Sequence, residues 1–161
     1  MKRIAINGTF LSEKRTGIYR FAEEIIKALD CEIEPNKAIL IVPQNAKIPF
    51  NLHSIQIKQI GPVKGPFSRG IAWEQVFFAI YSLFHHLIPL NLCNVTPLLV
   101  PRGFSVIHDI SYKMNPQYFK HFYGKLSSTW HRFQYWIVTH FARQIRQVFF
   151  CKFMHKKQIF P

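Results

Sequence analysis

The stretch FSVIHDISY, at Phe104–Tyr112, decides the fold prediction for this chain. It begins as a β-branched apolar run and ends abruptly in His108 and Asp109. An apolar strand that delivers polar, titratable side chains at its carboxyl end is typical of open α/β sheets, which bind ligands above the ends of their strands. We therefore predict that His108 and Asp109 lie on the floor of a binding site. A local cap or a buried polar pair is the alternative interpretation.

Other apolar runs of strand length are bounded by turn residues, and two segments between them have helical spacing. The predicted strands are Lys2–Asn7, Lys37–Val42, Ser54–Ile60, Asn91–Asn94 and Ser105–His108. One helix is predicted from an N-cap at Thr16 to about Asp30, with Glu23–Lys27 and Arg20–Glu24 as i,i+4 pairs, and a second over Ile71–Leu87. Because no hairpin signature separates the strands, the pattern predicts an α/β fold with a mostly parallel sheet covered by helices.

The entrance to the first predicted helix has features of an anion site. Gly17 lies at the helix start, with Lys14 and Arg15 just before it. Free backbone N–H groups, the positive end of the helix dipole and two cations suit a phosphate. The alternative is that Gly17 only permits close packing of the loop on the helix.

Composition and charge limit the class of protein. A chain of 161 residues fits one domain, and its formal net charge is +13. All eight acidic residues lie at or before Asp109, while positions 110–161 contain nine Lys or Arg. This asymmetry predicts attraction to an anionic partner such as a phosphate, a nucleotide, a nucleic acid or a lipid surface.

The positions of the cysteines and histidines indicate a protein of a reducing compartment without a metal-binding motif. Cys31, Cys93 and Cys151 are scattered, and none of the eight histidines has the spacing of a known metal motif. The amino-terminal apolar run is too short for a signal peptide. Val76–Leu92 contains two histidines and a proline, and we interpret it as a buried amphipathic helix rather than a membrane span. We therefore expect a cytoplasmic protein.

A different pattern follows Pro116. Apolar residues keep an unbroken helical stripe from Phe119 to Val148, with lysines and arginines mostly on the other side. We predict one long basic helix that packs its aromatic stripe on the sheet. The same surface could rest on anionic lipid as a peripheral contact at the inner face of the membrane.

Several segments, taken together and in order, resemble a known family. They are RTGIYRFAEEIIKAL after the first strand, WEQ at Trp73–Gln75, SVIHDISY, and NPQYF. At these intervals they resemble the N-terminal half of the group-1 retaining glycosyltransferases of GT-B architecture, in particular the mannosyl- and rhamnosyltransferase-like members that build surface polysaccharides. The resemblance covers positions 2–148, and it leaves 149–161 as an atypical tail.

The resemblance implies a fold and roles for named residues. The chain would form one Rossmann-like, acceptor-side half of a two-domain cleft, with helices on both faces of its sheet. Gly17 would approach the donor pyrophosphate, His108 would contact the transferring sugar, and Asp109 would support His108 or bind sugar hydroxyls. The WEQ signature at Trp73–Gln75 would support the cleft structurally, or Glu74 within it would contact the substrate. We place Glu74 among the substrate-binding residues together with Gly17 and with Lys14 and Arg15 of the helix entrance. The nucleotide-sugar is a substrate, so no cofactor is expected.

The resemblance also has departures that bear on activity. The family's serine-containing turn is replaced by VFFCKFMHKKQIFP, and the printed sequence does not include the family's donor-binding half with its pair of glutamates. We therefore expect transfer of a hexose or deoxyhexose to a glycan or lipid-linked acceptor only when a second chain supplies that half. The alternative is a basic, aromatic, non-catalytic module that binds anionic membrane or nucleic acid. Nucleic acid is the less favoured ligand, because no nucleic-acid motif is present.

Overall fold

The computed structural model describes residues 3–94, 96–100, 103–108, 133, 136 and 147–150. Its strands are β1 (Ile4–Asn7), β2 (Ala38–Pro43), β3 (Gln56–Ile60), β4 (Ile88–Asn91), β5 (Phe104–Ile107) and β6 (Gln147–Phe150). Its helices are α1 (Gly17–Glu32), α2 (Gly70–Trp73) and α3 (Ala79–Phe84). A 3₁₀ turn at Thr9–Ser12 follows β1, and a π-helical turn at Glu74–Phe78 joins α2 to α3.

The six strands form one sheet in the order β3-β2-β1-β4-β5-β6, and every described pairing is parallel. This confirms the predicted α/β fold with a parallel sheet. The order is that of a Rossmann-like sheet, in which the chain builds outward from β1 to one edge and then returns to build outward on the other side. The topological switch point therefore lies between β1 and β4.

Helices cover both faces of the sheet, as predicted. On one face, Ala22 and Ile26 of α1 pack with Ile6, Leu40 and Val106. On the other, Trp73 and Phe78 pack with Ala5, Ile39 and Ile41. Successive residues of a strand point to opposite faces, and both sets are buried, so the central strands are apolar throughout rather than alternating.

Helix α1 forms where the sequence predicts it, but its ion pairs differ. Thr16 occupies the N-cap position with an extended backbone, without a side-chain capping hydrogen bond. Glu24 pairs with Lys27 at i,i+3, and Glu23 pairs with Arg15 in the preceding loop. The predicted Glu23–Lys27 pair is wrong, because Glu23 lies on the buried side of the helix and pairs with Arg15 of the preceding loop. The predicted Arg20–Glu24 pair is wrong as well, because Glu24 pairs with Lys27.

The second predicted helix ends three residues early, and the fourth strand begins earlier than predicted. The helical segment ends at Phe84, a turn with a positive φ at His86 follows, and β4 occupies Ile88–Asn91 instead of Asn91–Asn94. Pro89 argues against a central strand, since it lacks a backbone donor. Pro89 lies in register with Ala5, but the β1-facing hydrogen bond in this part of the strand comes from the N–H of Ile88. The β4–β5 pairing begins only at Leu90, so the missing N–H of Pro89 costs the ladder no described hydrogen bond.

The carboxyl-terminal part is described only at a few positions. Residues 133 and 136 are helical, and β6 follows at Gln147–Phe150, so the predicted helix is wrong at Val148. The strand crosses the predicted boundary between positions 148 and 149. Phe133 is 47% exposed, so the aromatic stripe is not buried on the sheet at that position. The rest of the predicted basic helix lies outside the described residues.

No helix in the described part of the chain is long and apolar enough to span a membrane.

Candidate functional site

Polar side chains form a row across three neighbouring strands, and two of them end their strand at the carboxyl edge of the sheet. Asn7 ends β1, Asn91 ends β4, and Ser105 pairs in register with Asn91 on β5. The Asn7 amide donates to Asn91 Oδ1 at 3.1 Å, and the Asn91 amide donates to Ser105 Oγ at 3.5 Å. This polar row crosses the switch point, where open α/β sheets bind their ligands.

A small pocket opens at the β1 end of this row, and we call it the Glu74 pocket. Its cavity volume is about 10 Å³, and it is lined by Asn7, Thr9, Phe10, Glu74, Asn91, Leu92 and Cys93. That is roughly the room needed by one water-sized group, whereas pockets for whole drug-sized ligands measure about 300–1,000 Å³. The Glu74 pocket therefore accommodates one chemical group of a larger ligand rather than the whole ligand.

Glu74 is a fully buried carboxyl group in this pocket. Burial raises the pKa of Glu74 to about 8, the Asn7 side chain opposes the rise, and the negative charge of Glu13 adds to it. At neutral pH Glu74 is therefore mostly protonated, and its carboxyl group can both donate and accept a hydrogen bond. Its Oε1 is buried and has no hydrogen-bond partner among the described residues.

The two neighbours of Glu74 in the WEQ segment hold the pocket walls. The indole Nε1 of Trp73 donates to the Ile60 carbonyl at 3.0 Å, which fixes the helix to the end of β3. Gln75 donates to the Thr96 carbonyl at 3.2 Å and accepts from the Leu98 N–H at 2.9 Å, which ties down the loop after β4. Trp73 and Gln75 are thus structural supports, and only Glu74 lines the pocket. The π-helical turn shifts the helical register here, and such turns are frequent at functional sites.

His108 lies on the opposite face of the sheet, directly after β5. It is buried, its ring packs edge-on against Phe21 at 4.8 Å between centroids, and its Nε2 lies 2.6 Å from the Leu92 carbonyl oxygen. Since a carbonyl oxygen only accepts, Nε2 carries the proton, and in that imidazole tautomer Nδ1 is an acceptor. Nδ1 is buried and has no partner among the described residues.

The backbone of His108 is fixed as well as its ring. Its N–H donates to Asn94 Oδ1 at 2.6 Å, and Asn94 has a positive φ of 59° in the loop after β4. Leu92, whose carbonyl holds the His108 ring, also lines the Glu74 pocket. The His108 ring and the Glu74 pocket therefore both contact the loop that follows β4, each from a different face of the sheet.

Gly17 begins α1 with open space around it. A Cβ at Gly17 would meet no atom within 4 Å, so this glycine is not required for close packing of the loop on the helix. Gly8 is the contrast, because a Cβ there would lie 2.5 Å from Val42 Cγ1 and 2.9 Å from the Ile41 carbonyl oxygen. The packing explanation of Gly17 is thereby wrong, and its backbone is accessible to a ligand. Phe21, one turn along the helix, brings the α1 entrance beside His108.

The two predicted cations differ in their surroundings. Arg15 forms an ion pair with the buried Glu23 carboxylate while its own side chain stays 58% exposed. Its charge is therefore partly committed to holding the loop on α1. Lys14 is exposed to solvent. Of the predicted phosphate-binding set, Lys14 and Gly17 are accessible, whereas Arg15 has a structural partner.

The structure thus brings His108 and the α1 entrance together, and it places Glu74 on the other face of the same edge. Asp109 lies outside the described residues. Over the described ranges, no group of three or more His, Cys, Asp or Glu side chains could hold a metal ion. Burial raises the pKa of the Cys93 thiol, and the negative charges of Glu74 and Glu13 add to the rise, so Cys93 lines the pocket as an uncharged group.

Sequence reasoning missed the polar row and the tie to Asn94. The signal was present, because Asn7 and Asn91 each follow an apolar run, as His108 does. At Asn91 the signal is hidden, because the sequence pattern predicts that a strand starts rather than ends there.

Comparison of this chain with protein-family models, with curated proteins and with solved structures found no match in any of the three.

Proposed function

We propose that this chain is the acceptor-side half of a retaining glycosyltransferase of GT-B architecture. The reaction is transfer of a hexose or deoxyhexose from a nucleotide-sugar to a glycan or lipid-linked acceptor in surface polysaccharide synthesis. We place it in the cytoplasm, at the inner face of the membrane. The second half of the cleft, which binds the nucleotide, comes from a donor-binding domain.

The observation that carries the proposal is the state of His108. Its Nε2–H is fixed on the Leu92 carbonyl, and its buried Nδ1 is an unpaired acceptor among the described residues. A buried acceptor without a partner costs about 1–3 kcal/mol, and a native structure with one calls for an explanation. A sugar hydroxyl that donates to Nδ1 provides that explanation and orients the sugar at the carboxyl edge of the sheet.

The features of the α1 entrance support a role for it in binding the donor diphosphate. Gly17 is exposed at the start of a helix of 16 residues, and no side chain stands within 4 Å of where its Cβ would be. The free N–H groups and the dipole of such a helix favour phosphate oxygens. Because Phe21 of the same helix contacts His108, a diphosphate at the entrance would lie within reach of a sugar bound at His108.

Expected activity requires both halves of the cleft. Stabilisation of a departing nucleotide diphosphate needs groups placed around it in a water-poor site, and the described residues provide one side of such a site. The assay therefore measures transfer of labelled mannose or rhamnose from the nucleotide-sugar to membrane extracts, using the full chain with and without a co-expressed donor-binding half. Transfer only in the complemented sample supports the proposal, and its absence there contradicts it.

Substitution of His108 tests the residue that carries the proposal. His108→Gln keeps an N–H that can donate to the Leu92 carbonyl, but its amide oxygen cannot take the position of the ring Nδ1, and we expect transfer to fall by about 100-fold or more. His53→Ala is the matched control, because His53 is exposed at the opposite edge of the sheet. Circular dichroism and thermal unfolding verify that both variants fold. Unchanged transfer by His108→Gln would contradict a sugar-contacting role.

A further inference from the structure

The Glu74 pocket is built around a polar group that the protein itself leaves unsatisfied. Glu74 is 2% exposed, and its Oε1 is buried without a partner among the described residues. A polar atom left in this way costs about 1–3 kcal/mol unless a bound group satisfies it. The pocket is polar on the strand side, where Asn7 and Asn91 line it, so a polar occupant has partners there too.

The size and position of the pocket restrict that occupant. It lies at the switch point between β1 and β4, and its cavity volume of about 10 Å³ has room for one water-sized group. One hydroxyl-sized substituent therefore enters, while the remainder of the ligand lies along the strand ends. The amides of Asn7 and Asn91 already bond to each other and to Ser105, which leaves Glu74 as the group with the most unused hydrogen-bonding capacity.

Charge restricts the occupant further. Among the described residues, the titratable groups coupled electrostatically to Glu74 are Glu13, Cys93 and Tyr19, and none of them supplies a positive charge. Tyr19, on α1, donates its hydroxyl to Glu13 at 2.5 Å and so is committed to the loop. A phosphate or carboxylate would be repelled by Glu13 and would not be neutralised. A neutral group that both donates and accepts matches a neutral carboxylic acid, and the common group of that kind is a hydroxyl.

We propose that the Glu74 pocket binds one hydroxyl group of a sugar, with the Glu74 carboxyl group as its hydrogen-bond partner. This proposal rests on the proposed function for its class of ligand, because the sugar is the one that the acceptor-side half holds. It adds to that function a binding site for one hydroxyl group. The residue that selects the hydroxyl is then Glu74, on the face of the sheet opposite His108.

The test uses methyl α-D-mannopyranoside and its four monodeoxy analogues as probes, with binding to the full chain measured by saturation-transfer NMR titration. Glu74→Gln keeps a donor and an acceptor, and Glu74→Met keeps the length of the side chain but removes both. We expect the mannoside to bind Glu74→Gln within about threefold of wild type and Glu74→Met at least tenfold more weakly, since sites built around a hydroxyl reject ligands that cannot complete the bond.

The analogues identify the hydroxyl and check the pairing. One analogue should bind the wild-type chain at least tenfold more weakly than the parent mannoside, yet bind Glu74→Met as well as the parent does, because the two losses remove the same hydrogen bond. The 13C signal of the Glu74 carboxyl, assigned by its absence in Glu74→Gln, should shift on addition of the mannoside. Equal binding by wild type and Glu74→Met, or no binding of the mannoside, overturns the proposal.

The outcomes separate this proposal from the proposed function. Transfer by the complemented enzyme with unchanged kinetics in Glu74→Met would leave the glycosyltransferase proposal standing and remove the pocket from it. If hydroxyl binding depends on Glu74 but the complemented sample shows no transfer, the pocket is a hydroxyl-binding site and the proposed glycosyltransferase activity is contradicted.

Discussion

Asp30 and Glu74 are buried carboxyl groups at opposite ends of the parallel strands, and they differ in the hydrogen-bond donors that surround them. Asp30, near the end of α1, is 6% exposed and accepts from the backbone N–H groups of His53, Ser54 and Ile55. Glu74, at the carboxyl edge, is 2% exposed and keeps an oxygen without a partner among the described residues. Burial is nearly equal, so the supply of donors makes the difference.

The pKa values follow that supply. Burial alone would raise the pKa of Asp30, but its backbone hydrogen bonds outweigh burial and lower it. At Glu74 burial prevails and raises the pKa to about 8. Glu23, a third buried carboxylate at 4% exposure, is paired with the Arg15 guanidinium. Asp30 and Glu23 are structural, and Glu74 is the one of these three whose environment suits an external ligand.

The largest effect is expected at Glu74 and depends on pH. The folded pKa lies above the ordinary value of 4.5, so the folded state holds a proton that the unfolded state releases, and stability falls as pH rises from about 4.5 to 8. Glu74→Gln removes this loss. We expect the variant to be more stable than wild type by less than about 1 kcal/mol at pH 5 and by about 4 kcal/mol at pH 8.5. Urea unfolding across this range measures the difference, and a difference independent of pH would contradict the buried, protonated state of Glu74.

At Asp30 the sign is reversed. Asp30→Ala leaves three backbone donors before β3 without their acceptor, and we expect a loss of about 3 kcal/mol at pH 7. Because the folded pKa is lowered, the stabilising contribution is present above the ordinary value of 3.8 and is lost as pH falls through the folded pKa. Urea unfolding at pH 7 and at pH 3 should therefore show the difference between wild type and variant shrinking in acid. The stability of Asp30→Asn, which keeps one acceptor oxygen, should lie between those of wild type and Asp30→Ala.

The ion pair at Glu23 gives an intermediate case. Arg15→Gln leaves the buried Glu23 carboxylate without its cation, and we expect a loss of about 1 kcal/mol in thermal unfolding. Lys14→Gln is the matched control, since Lys14 is exposed, and it should leave stability unchanged. Equal effects of the two substitutions would show that the Arg15–Glu23 pair contributes nothing specific.

The smallest stability effect is expected at Gly17, where it separates structure from function. The space around Gly17 admits a methyl group, and alanine favours helix, so Gly17→Ala should stabilise the fold by about 0.5 kcal/mol. Transfer by the complemented enzyme should nevertheless fall, because the methyl group would stand where a diphosphate approaches. Gly8→Ala, which forces a methyl group against Val42 and the Ile41 carbonyl, should instead destabilise the fold. A stable Gly17→Ala variant with full transfer would remove the α1 entrance from the site.

The sequence by itself determined the parallel α/β fold and the place of His108. Apolar runs such as the one before His108 are short, local and bounded by turn residues, and the helical spacing of α1 is local too, so both can be recognised without knowing what packs on them. The exception among the strands was β4, where Pro89 contradicts the local rule and only the late start of the β4–β5 pairing makes the strand possible.

Tertiary structure decided how each buried charge and each site residue is used. Arg15 precedes Glu23 by eight positions and Asp30 precedes Ser54 by 24, and no local pattern joins such pairs. Glu74 reads in the sequence as an acid in the first turn of a helix, and only the packed sheet makes it a buried, neutral group beside Asn7. Local spacing determines backbone structure, whereas burial and hydrogen-bond supply depend on segments far apart in the chain, and these set the chemistry of the site.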